Sequence, residues 1–566
     1  MAEQQPIEIR FSGGMNNLNS ALDLYMRKQH EVPLLVNADL TYPGRIKLLR
    51  PLLKVSAAAV TDLHSLCVAD GTVFLADGMT LGYLLGMVAT SLGALTSAEK
   101  LTWAQVGDWL FIGNGKDKLT IYIPTPVLCQ WGLDIPTVAP TVTDSGVAGN
   151  PDGTYECFYR YRVTLPDGTV VLTALSPVGS VTVVTNKITW ALPAYPAFVG
   201  ATSVQIDLSR TSTALTGTYL VTTLSSPTVS YTDDVSDADL QLETAYAETD
   251  YYPPPDNPEI VYYDPGTDRI FATIGGDAYW SEAGIYHIFL YDATTAEYRN
   301  VNSVFLGKEH ITAVHRFDEN LYFGSKKTWR RRRGKAQADW TWEDTSATIG
   351  PLNQDGCCVT PWGILHPATD GRLWLFTGNS SKPILEEFVF ATRPDASCHA
   401  TFDGRFYRLF YGDPTYPSLV VDFMKYPSIP PRIVQSTQSA TASFFDQNTA
   451  SFYLSDGHYV RSGEDFATDV SLIVRLPDFP LADLIKFGST AKLTACLKTD
   501  GDDLTIKHFF DDANVSPDTP QIVNNTALRH EELPVPFGEG RTMSMEISIT
   551  SNADIILQEP WILTGE

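Results

Sequence analysis

The sequence has few positive charges for its length. Of its 566 residues, 40 are Lys or Arg and 66 are Asp or Glu, so the formal net charge is −26 at pH 7. A protein that grips nucleic acid needs Lys and Arg to displace the counterions of the phosphates, so this composition argues against a DNA-binding module. Charged residues make up only 19% of the chain and apolar residues 44%. Most of the chain should fold, because disorder combines low hydrophobicity with high net charge.

Cysteine is scarce and shows no pairing pattern. The seven cysteines contain no C-x-x-C spacing, so neither a metal knuckle nor a dense disulfide scaffold is expected. The adjacent Cys357 and Cys358 lie in an apolar stretch and predict the start of a buried strand rather than a redox site. The N-terminal residues include acids and no apolar run of the secretory kind, so we expect synthesis and folding in a reducing cytoplasm.

The usual catalytic and cofactor motifs are also missing. The chain contains no GxSxG, HExxH, GxxxxGK[ST] or EF-hand pattern. Its ten histidines are dispersed, and neighbouring acids such as Asp502 and Asp503 lie in loop-like sequence. We interpret these acids as solvated rather than as the carboxylate pair of a glycosidase. The sequence therefore predicts a non-enzymatic protein with no cofactor and no metal site.

One long stretch lacks charge altogether. Residues 78–98 contain no Asp, Glu, Lys or Arg, which is long enough to suggest a membrane span. The stretch is rich in Gly, Thr and Ser, however, and it follows Asp-Gly pairs at Asp70 and Asp77 that predict tight turns. Two buried strands of a β-domain explain it better, and we expect no membrane span.

What the chain does contain is a pattern of many short strands. Helical periodicity is clear only at residues 16–30, where apolar residues recur on one face. Elsewhere, short runs rich in Val, Ile, Thr, Tyr, Phe and Trp are broken by Gly, Asp, Asn and Pro. Asp-Gly, which tolerates the positive φ angles of a hairpin turn, occurs nine times. The predicted fold class is all-β.

The hairpins group into larger repeating units. Seven candidate units recur about every 40–50 residues, the spacing of four-stranded β-propeller blades. A Thr-, Val- and Ser-rich stretch interrupts them, and its seven or so short strands predict an immunoglobulin- or fibronectin-III-like sandwich. The predicted organisation is an N-terminal arm with a short helix (1–55), the first propeller blades (56–135), the inserted sandwich (136–252), the remaining blades (253–465) and a C-terminal β-domain (466–566).

One basic cluster stands out in this acidic chain. Seven of its 40 basic residues fall within ten positions, and the cluster contains the candidate partner contacts Arg330, Arg331, Arg332, Arg333 and Lys335. Such a run can be a solvated hairpin edge, since Lys and Arg protect exposed strands from pairing. It can also be a docking element, because the guanidinium fork suits carboxylates on a neighbouring subunit or partner. Contact with nucleic acid ranks third, because one run without a longer basic stripe gives little affinity.

Several segments resemble a family of bacteriophage structural proteins. They are a Gly-rich opening (residues 11–17), an Asn-containing strand with a basic, Pro-bearing turn (residues 33–51), and three later stretches (residues 340–343, 349–358 and 371–378). Together with the fibronectin-like insertion between early and later blades, they give a layout similar to the tail nozzle of short-tailed phages. The resemblance covers most of residues 10–465.

This resemblance implies a virion structural protein made in the host cytoplasm. It implies a homohexameric ring below the portal and adaptor proteins, in contact with tail fibres or spikes. Viral DNA would pass through the ring during ejection without tight binding. An acidic wall would favour such passage, because repulsion between like charges extends over a screening length of about 8 Å at physiological salt.

Two other functions remain open from the residues alone. A propeller glycosidase or lyase would need clustered Asp, Glu and aromatic residues at one face of the propeller. A glycan-binding adhesin is supported by an aromatic content of 11%.

Overall fold

The structure is a computed structural model that describes most of the chain. The described residues are 7–10, 13–15, 31–41, 44–50, 52–56, 62–213, 217–243, 245, 252–292, 297–305, 309–386, 388–457, 459–464, 467–477, 479–480, 492–510, 521–535 and 542–564. The helix predicted at residues 16–30 lies outside them.

Seven antiparallel sheets, numbered here in chain order, form the main body of the described chain. Sheet one is Leu63–Ala69, Thr72–Asp77, Thr80–Leu85 and Val88–Ala94, and sheet two is Thr102–Val106, Trp109–Gly113, Lys118–Tyr122 and Val127–Gln130. Sheet three is Ile260–Asp264, Arg269–Ile274, Asp277–Glu282 and Ile285–Phe289, with Val301–Ser303 beside its third strand and the hairpin Tyr291–Asp292 and Glu297–Tyr298 after it. Sheet four is Ala313–Phe317, Asn320–Gly324, Trp329–Arg333 and Thr341–Asp344, with the 3₁₀-helix Gln337–Asp339 before its last strand. Sheet five is Cys358–Thr360, Gly363–Pro367, Leu373–Phe376 and Ser381–Pro383, and sheet six is His399–Phe402, Phe406–Phe410, Ser418–Asp422 and Arg432–Ser436. Sheet seven is Ala442–Asp446, Ser451–Ser455, Val460–Glu464 and the N-terminal strand Leu52–Lys54.

Local sequence explains the tight turns of these sheets. In sheet one, Asp70 and Gly71 have φ angles of 46° and 73°, the positive values that a type I′ hairpin requires at both central positions. Asp500 and Gly501 repeat the pattern with 55° and 100°. The Asp-Gly turns predicted at these two places are confirmed.

The first strands of the seven sheets meet around one cavity. Six of the sheets contribute strand residues to its wall, for example Ser65 of sheet one, Val261 of sheet three and Ser443 of sheet seven, and the loop before sheet five contributes Gln354 and Asp355. Separate buried clusters fill the junctions between neighbouring sheets, such as Phe74 with Leu110 between sheets one and two. The all-β class is confirmed.

An N-terminal strand completes sheet seven. Leu52–Lys54 pairs with Val460–Glu464, so that Lys54 lies opposite Arg461, more than 400 positions later in the sequence. The backbone amide of Val55 also donates to the carbonyl of Val460 at 2.9 Å. Backbone hydrogen bonds thereby join the segment that precedes sheet one to sheet seven, the last of the seven sheets.

The insertion between sheets two and three is a two-sheet sandwich. One sheet is Thr141–Ala148, Asn186–Ala191 and Ser230–Asp233, and the other is Val170–Leu172, Gly153–Thr164, Gly179–Val183, Ser203–Thr211 and Thr218–Ser225. Along Gly153–Thr164, buried and exposed residues alternate, as expected of a strand with one face in the core. A short α-helix, Asp237–Leu240, follows and is capped by the side chain of Ser236.

The last unit is a second sandwich, which we call the terminal sandwich. One of its sheets is Ala38–Asp39, Arg45–Leu48, Ile556–Thr564, Lys492–Lys498, Arg529–Pro534 and Ile7–Ile9. The other continues from sheet six through Leu34–Val36, Val470–Arg475, Thr542–Ser551, Leu504–Phe510, Gln521–Val523 and Phe479–Pro480, and Gly14–Met15 pairs with Glu31–Val32 nearby. The segment expected as an N-terminal arm thus contributes strands to the terminal sandwich and to sheet seven.

Candidate binding surfaces and central cavity

The basic run forms the third strand of sheet four, and its side chains alternate between two faces. Arg331 donates to Glu343 at 2.5 Å, and Arg333 lies 3.4 Å from the same carboxylate. Arg330 lies 2.7 Å from Asp344. The hydrogen bond from Arg331 and its positive charge lower the pKa of Glu343. The adjacent strand Thr341–Asp344 therefore supplies carboxylates to three of the four arginines.

Arg332 points into the molecule instead. Its side chain is 1% exposed and donates to Asp264 of sheet three at 2.6 Å, and Arg316 binds the other oxygen of that carboxylate at 2.6 Å. The guanidinium of Arg332 also lies 4.2 Å from the ring centroid of Trp340. Burial lowers the pKa of Arg332 to about 10, although the charge of Asp264 opposes the shift. This buried cluster joins sheet three to sheet four.

The outward-facing part of the basic cluster is small. Lys326 and Lys335 are exposed, and the side chain of Arg333 is half exposed. Lys327 is exposed as well but binds Glu309 at 2.8 Å. Of the five residues predicted as partner contacts, Arg333 and Lys335 are therefore the ones whose side chains face solvent most, while Arg332 is enclosed within the chain.

Several side chains on the wall of the central cavity have pKa values shifted by burial. Its volume is about 210 Å³, and it is lined by polar and apolar side chains from the first strands and the loops before them. Two of its histidines have both ring nitrogens bonded. His64 contacts Ser65 Oγ and the carbonyl of Gly78, each at 2.9 Å. His399 contacts Ser443 Oγ at 2.8 Å and the carbonyl of Ala440 at 3.0 Å.

The bonds of His399 fix its tautomer. The carbonyl of Ala440 can only accept, so Nε2 of His399 carries the proton and Nδ1 accepts from the hydroxyl of Ser443. Burial, together with the nearby charge of Lys100, lowers the pKa of His399 to about 3. A serine bonded to a neutral imidazole has the geometry of a nucleophile and base, but each partner here is also part of a satisfied structural network.

Three other groups on the cavity wall have bonding capacity left within the described residues. Lys100 donates one of its three N–H bonds, to the carbonyl of Ser397 at 2.9 Å. Asp355 accepts nothing through its carboxyl group, whose pKa burial raises while the charge of Lys100 opposes the shift. Nε2 of His315 is buried without a hydrogen-bond partner and has almost no accessible surface, so it does not open onto the cavity. Lys100 and Asp355 are therefore the polar groups of the wall that a molecule in the cavity could contact.

Buried histidines make stability depend on pH. Burial lowers the pKa of His287 and His315 to about 4 and that of His366 and His399 to about 3, against 6.5 for a free imidazole. The unfolded chain therefore binds more protons below pH 6.5, and stability present above that value is lost as the pH falls. At pH 5.5 we expect a loss of about 1 kcal/mol for each histidine. Urea unfolding at pH 7.5 and 5.5 checks this, and equal free energies at the two values would contradict it.

An uncharged edge is the third notable surface. Val88–Ala94 is the outermost strand of sheet one and carries neither a charge nor a proline. Around the hairpin that leads into it, apolar side chains face solvent: Met79 is 53% exposed, Leu85 66%, Met87 52% and Val88 56%. Folded proteins usually protect such edges with charges or prolines. The two strands predicted within residues 78–98 are present, but the second of them is exposed rather than buried.

The remaining sequence-based expectations concern cysteines, metals and membranes. Cys357 is buried and Cys358 begins a strand, as predicted, and burial raises the pKa of both thiols. Within the described ranges, no group of three or more His, Cys, Asp or Glu side chains is arranged to hold a metal ion. The same part of the chain contains no helix long and apolar enough to cross a membrane.

Comparison with known proteins leaves the chain without an assigned family. No family model matches it. No curated protein matches it either.

Three solved structures align with long stretches of this chain at low TM-scores. A computationally designed protein, Ika8, is 11% identical with a TM-score of 0.33, over 73% of this chain and 99% of the other. The extracellular domain of a hybrid two component system from B. thetaiotaomicron is 9% identical with a TM-score of 0.22, over 98% and 95%. PorZ, a surface component of the type-IX secretion system of Porphyromonas gingivalis, is 9% identical with a TM-score of 0.18, over 74% and 65%. All three TM-scores lie below 0.5, so these likenesses carry no argument about function.

Proposed function

We propose that this protein is a structural subunit of the tail nozzle of a short-tailed bacteriophage. Six copies would form a ring below the portal and adaptor proteins, and viral DNA would pass through the ring during ejection. The proposal rests on the sequence resemblance described above and on an all-β chain that combines repeated four-stranded sheets with an inserted sandwich.

The size of the central cavity bears on where DNA would travel. At about 210 Å³ it is smaller than an ordinary pocket for a drug-sized ligand, and the major groove of DNA alone is about 12 Å wide. A duplex cannot pass through the centre of one chain. The channel would therefore be the space enclosed by several copies.

The net negative charge of the chain favours a channel through which DNA passes without tight binding. Each copy carries −26. Carboxylates that face the channel would repel phosphates, and the screening length of about 8 Å at physiological salt lets this repulsion act across the gap between wall and DNA. DNA would then slide without being held.

The main support for contact between copies in the proposed ring is the uncharged edge of sheet one, the strand Val88–Ala94. Copies with a net charge of −26 repel one another, so the least unfavourable contact places surfaces without charge against each other. Residues 78–98 form the uncharged stretch, and its outer strand is exposed with apolar side chains beside it. A second copy of this chain is the occupant that we assign to this edge. Arg333 and Lys335 would add contacts to carboxylates on a neighbour.

The place in the tail is tested by mixing the purified protein with portal–adaptor particles of a short-tailed phage. Negative-stain electron microscopy should show a ring of the protein capping the adaptor end of the particles. Matched particles without adaptor should remain uncapped. A protein that leaves both kinds of particle unchanged would contradict the proposed position.

A further inference from the structure

We propose that the uncharged edge of sheet one contacts the inserted sandwich of the next copy in the ring. This inference rests on the proposed ring and names the second half of its contact. A closed ring of more than two copies needs a heterologous contact, in which one surface of a copy meets a different surface of the next. The edge of sheet one is the first of these surfaces, and the sandwich supplies the second.

Charged residues are unevenly distributed along the chain. Its four longest stretches without Asp, Glu, Lys or Arg are residues 78–98, 168–186, 188–206 and 211–232. The first supplies the edge of sheet one, and the other three supply much of the inserted sandwich. Between copies that each carry −26, a contact of uncharged surfaces avoids both like-charge repulsion and the burial of carboxylates. These stretches therefore single out two different surfaces of the same chain.

Three segments of the sandwich meet at one end of its three-stranded sheet. In that sheet, Ala191 lies opposite both Thr141 and Ser230. Gly179 of the other sheet packs against the carbonyl of Pro140, so closely that a Cβ would lie 2.4 Å from the oxygen. The residues just before these positions are exposed and apolar, and we call them the valine face: Val138, Val178 and Val229, which are 59%, 50% and 42% exposed.

The charged side chains of this part of the sandwich are buried or paired. Residues 163–232 contain four charged residues. Asp207 and Arg210 are fully buried. Asp167 accepts a hydrogen bond from Nε1 of Trp109 at 2.9 Å, and Lys187 lies 2.9 Å from the carboxylate of Asp234. The valine face therefore belongs to a surface on which few charges would have to be desolvated by a neighbouring copy.

The two surfaces also differ in stiffness, which suits a contact between them. The edge of sheet one presents Met79 and Met87, whose unbranched side chains adapt to the shape of a partner. Valine is restricted at χ1, so the valine face loses little conformational freedom on contact. Both surfaces are exposed in the single chain, so neither covers the other within one copy.

Direct contacts hold the sandwich on sheet two. The backbone amide of Gln130 donates to the carbonyl of Val199 at 3.1 Å. Gly200 approaches the same strand so closely that a Cβ would lie 2.3 Å from Sγ of Cys129. A copy that binds the valine face is therefore positioned relative to the seven sheets as well, which a closed ring requires.

The test mixes two double variants of the full-length protein. Leu85→Glu with Val88→Glu places carboxylates on the edge of sheet one, and Val178→Lys with Val229→Lys places ammonium groups on the valine face. By multi-angle light scattering, each variant alone should associate about a hundredfold more weakly than the wild type, or weaker still. An equimolar mixture should recover the wild-type mass. In an alternating ring, each acidic edge meets a basic face and each unchanged edge meets an unchanged face.

Val184→Lys is the matched control for the valine face. Val184 is 70% exposed and precedes the opposite end of the strand Asn186–Ala191, so this variant should keep the wild-type mass. Circular dichroism establishes that each variant is folded. If the wild type is oligomeric but the valine-face variant keeps its mass, the control dissociates equally, or the mixture stays dissociated, the inference is wrong and the ring stands. A wild type that remains a single chain would remove the proposed ring and this contact together.

Discussion

Replacing Asp264 by alanine is expected to lower the free energy of unfolding by about 3–5 kcal/mol. The carboxylate is fully buried and binds Arg316 and Arg332, each at 2.6 Å. Its removal leaves the guanidinium of Arg332, which is 1% exposed, without a counter-charge between sheets three and four. The same change removes the bonds of Asp264 to Gly266 and Thr267 in the following turn. Urea unfolding followed by intrinsic tryptophan fluorescence measures the loss.

Asp344→Ala provides the matched control for this prediction. Asp344 pairs with Arg330 of the adjacent strand, but its side chain is 80% exposed, so the expected cost is about 0–1 kcal/mol. Asp264→Asn keeps the volume and one acceptor oxygen while removing the charge, and it covers the case in which the alanine variant does not fold. An Asp264→Asn variant as stable as Asp344→Ala would refute the role of the buried cluster.

Placing two carboxylates on the uncharged edge is expected to abolish self-association. In the double variant Leu85→Glu and Val88→Glu, side chains that are 66% and 56% exposed in one copy become charged. If a second copy covers this edge, each interface must bury unpaired charges, and the association constant should fall by about a hundredfold or more. Single exposed apolar residues elsewhere have no such role. Multi-angle light scattering across a range of concentrations measures the change in mass.

The inserted sandwich offers the matched control for the edge. Val184 is 70% exposed there, and Val184→Glu adds a carboxylate away from sheet one, one charge per copy against the two of the edge variant. This variant should assemble as the wild type does. If the edge variant keeps the wild-type mass, or if Val184→Glu dissociates to the same extent, sheet one is not the contact between copies.

Local features of this chain follow from local sequence. Alternating apolar residues fix which face of a strand is buried, so the strand Gly153–Thr164 could be predicted almost residue by residue. The turn at Asp70 and Gly71 could be predicted because few residue pairs tolerate two positive φ angles. The all-β class results from adding many such local preferences.

Features that depend on distant pairing could not be predicted. Leu52–Lys54 shows no sign in its sequence that it will pair with a strand more than 400 positions later. Asp264 and Arg332 are 68 positions apart, and an isolated Arg run gives no hint which members turn inward. The run therefore left a solvated hairpin edge and a docking surface both open, and the structure places carboxylates of the same sheet against three of its members and a buried carboxylate against the fourth.

The candidate cavity was missed for the same reason. His315 lies on the first strand of sheet four, Lys100 and Asp355 lie in the loops before sheets two and five, and the three form no motif along the chain. Each has an ordinary sequence context, and only the convergence of first strands brings them to one wall. A faint signal existed in the placement of polar residues at the starts of successive repeat units, where a core strand would otherwise be apolar.

The most direct test of the ring is the mass and shape of the purified full-length protein. One chain has a mass of 62.3 kDa. We expect light scattering, at micromolar concentration and physiological salt, to give six times that mass, and class averages from electron microscopy to show a ring with an open centre wide enough for duplex DNA. A particle with the mass of a single chain over the whole concentration range, both alone and in the presence of portal–adaptor particles, would contradict the proposed function.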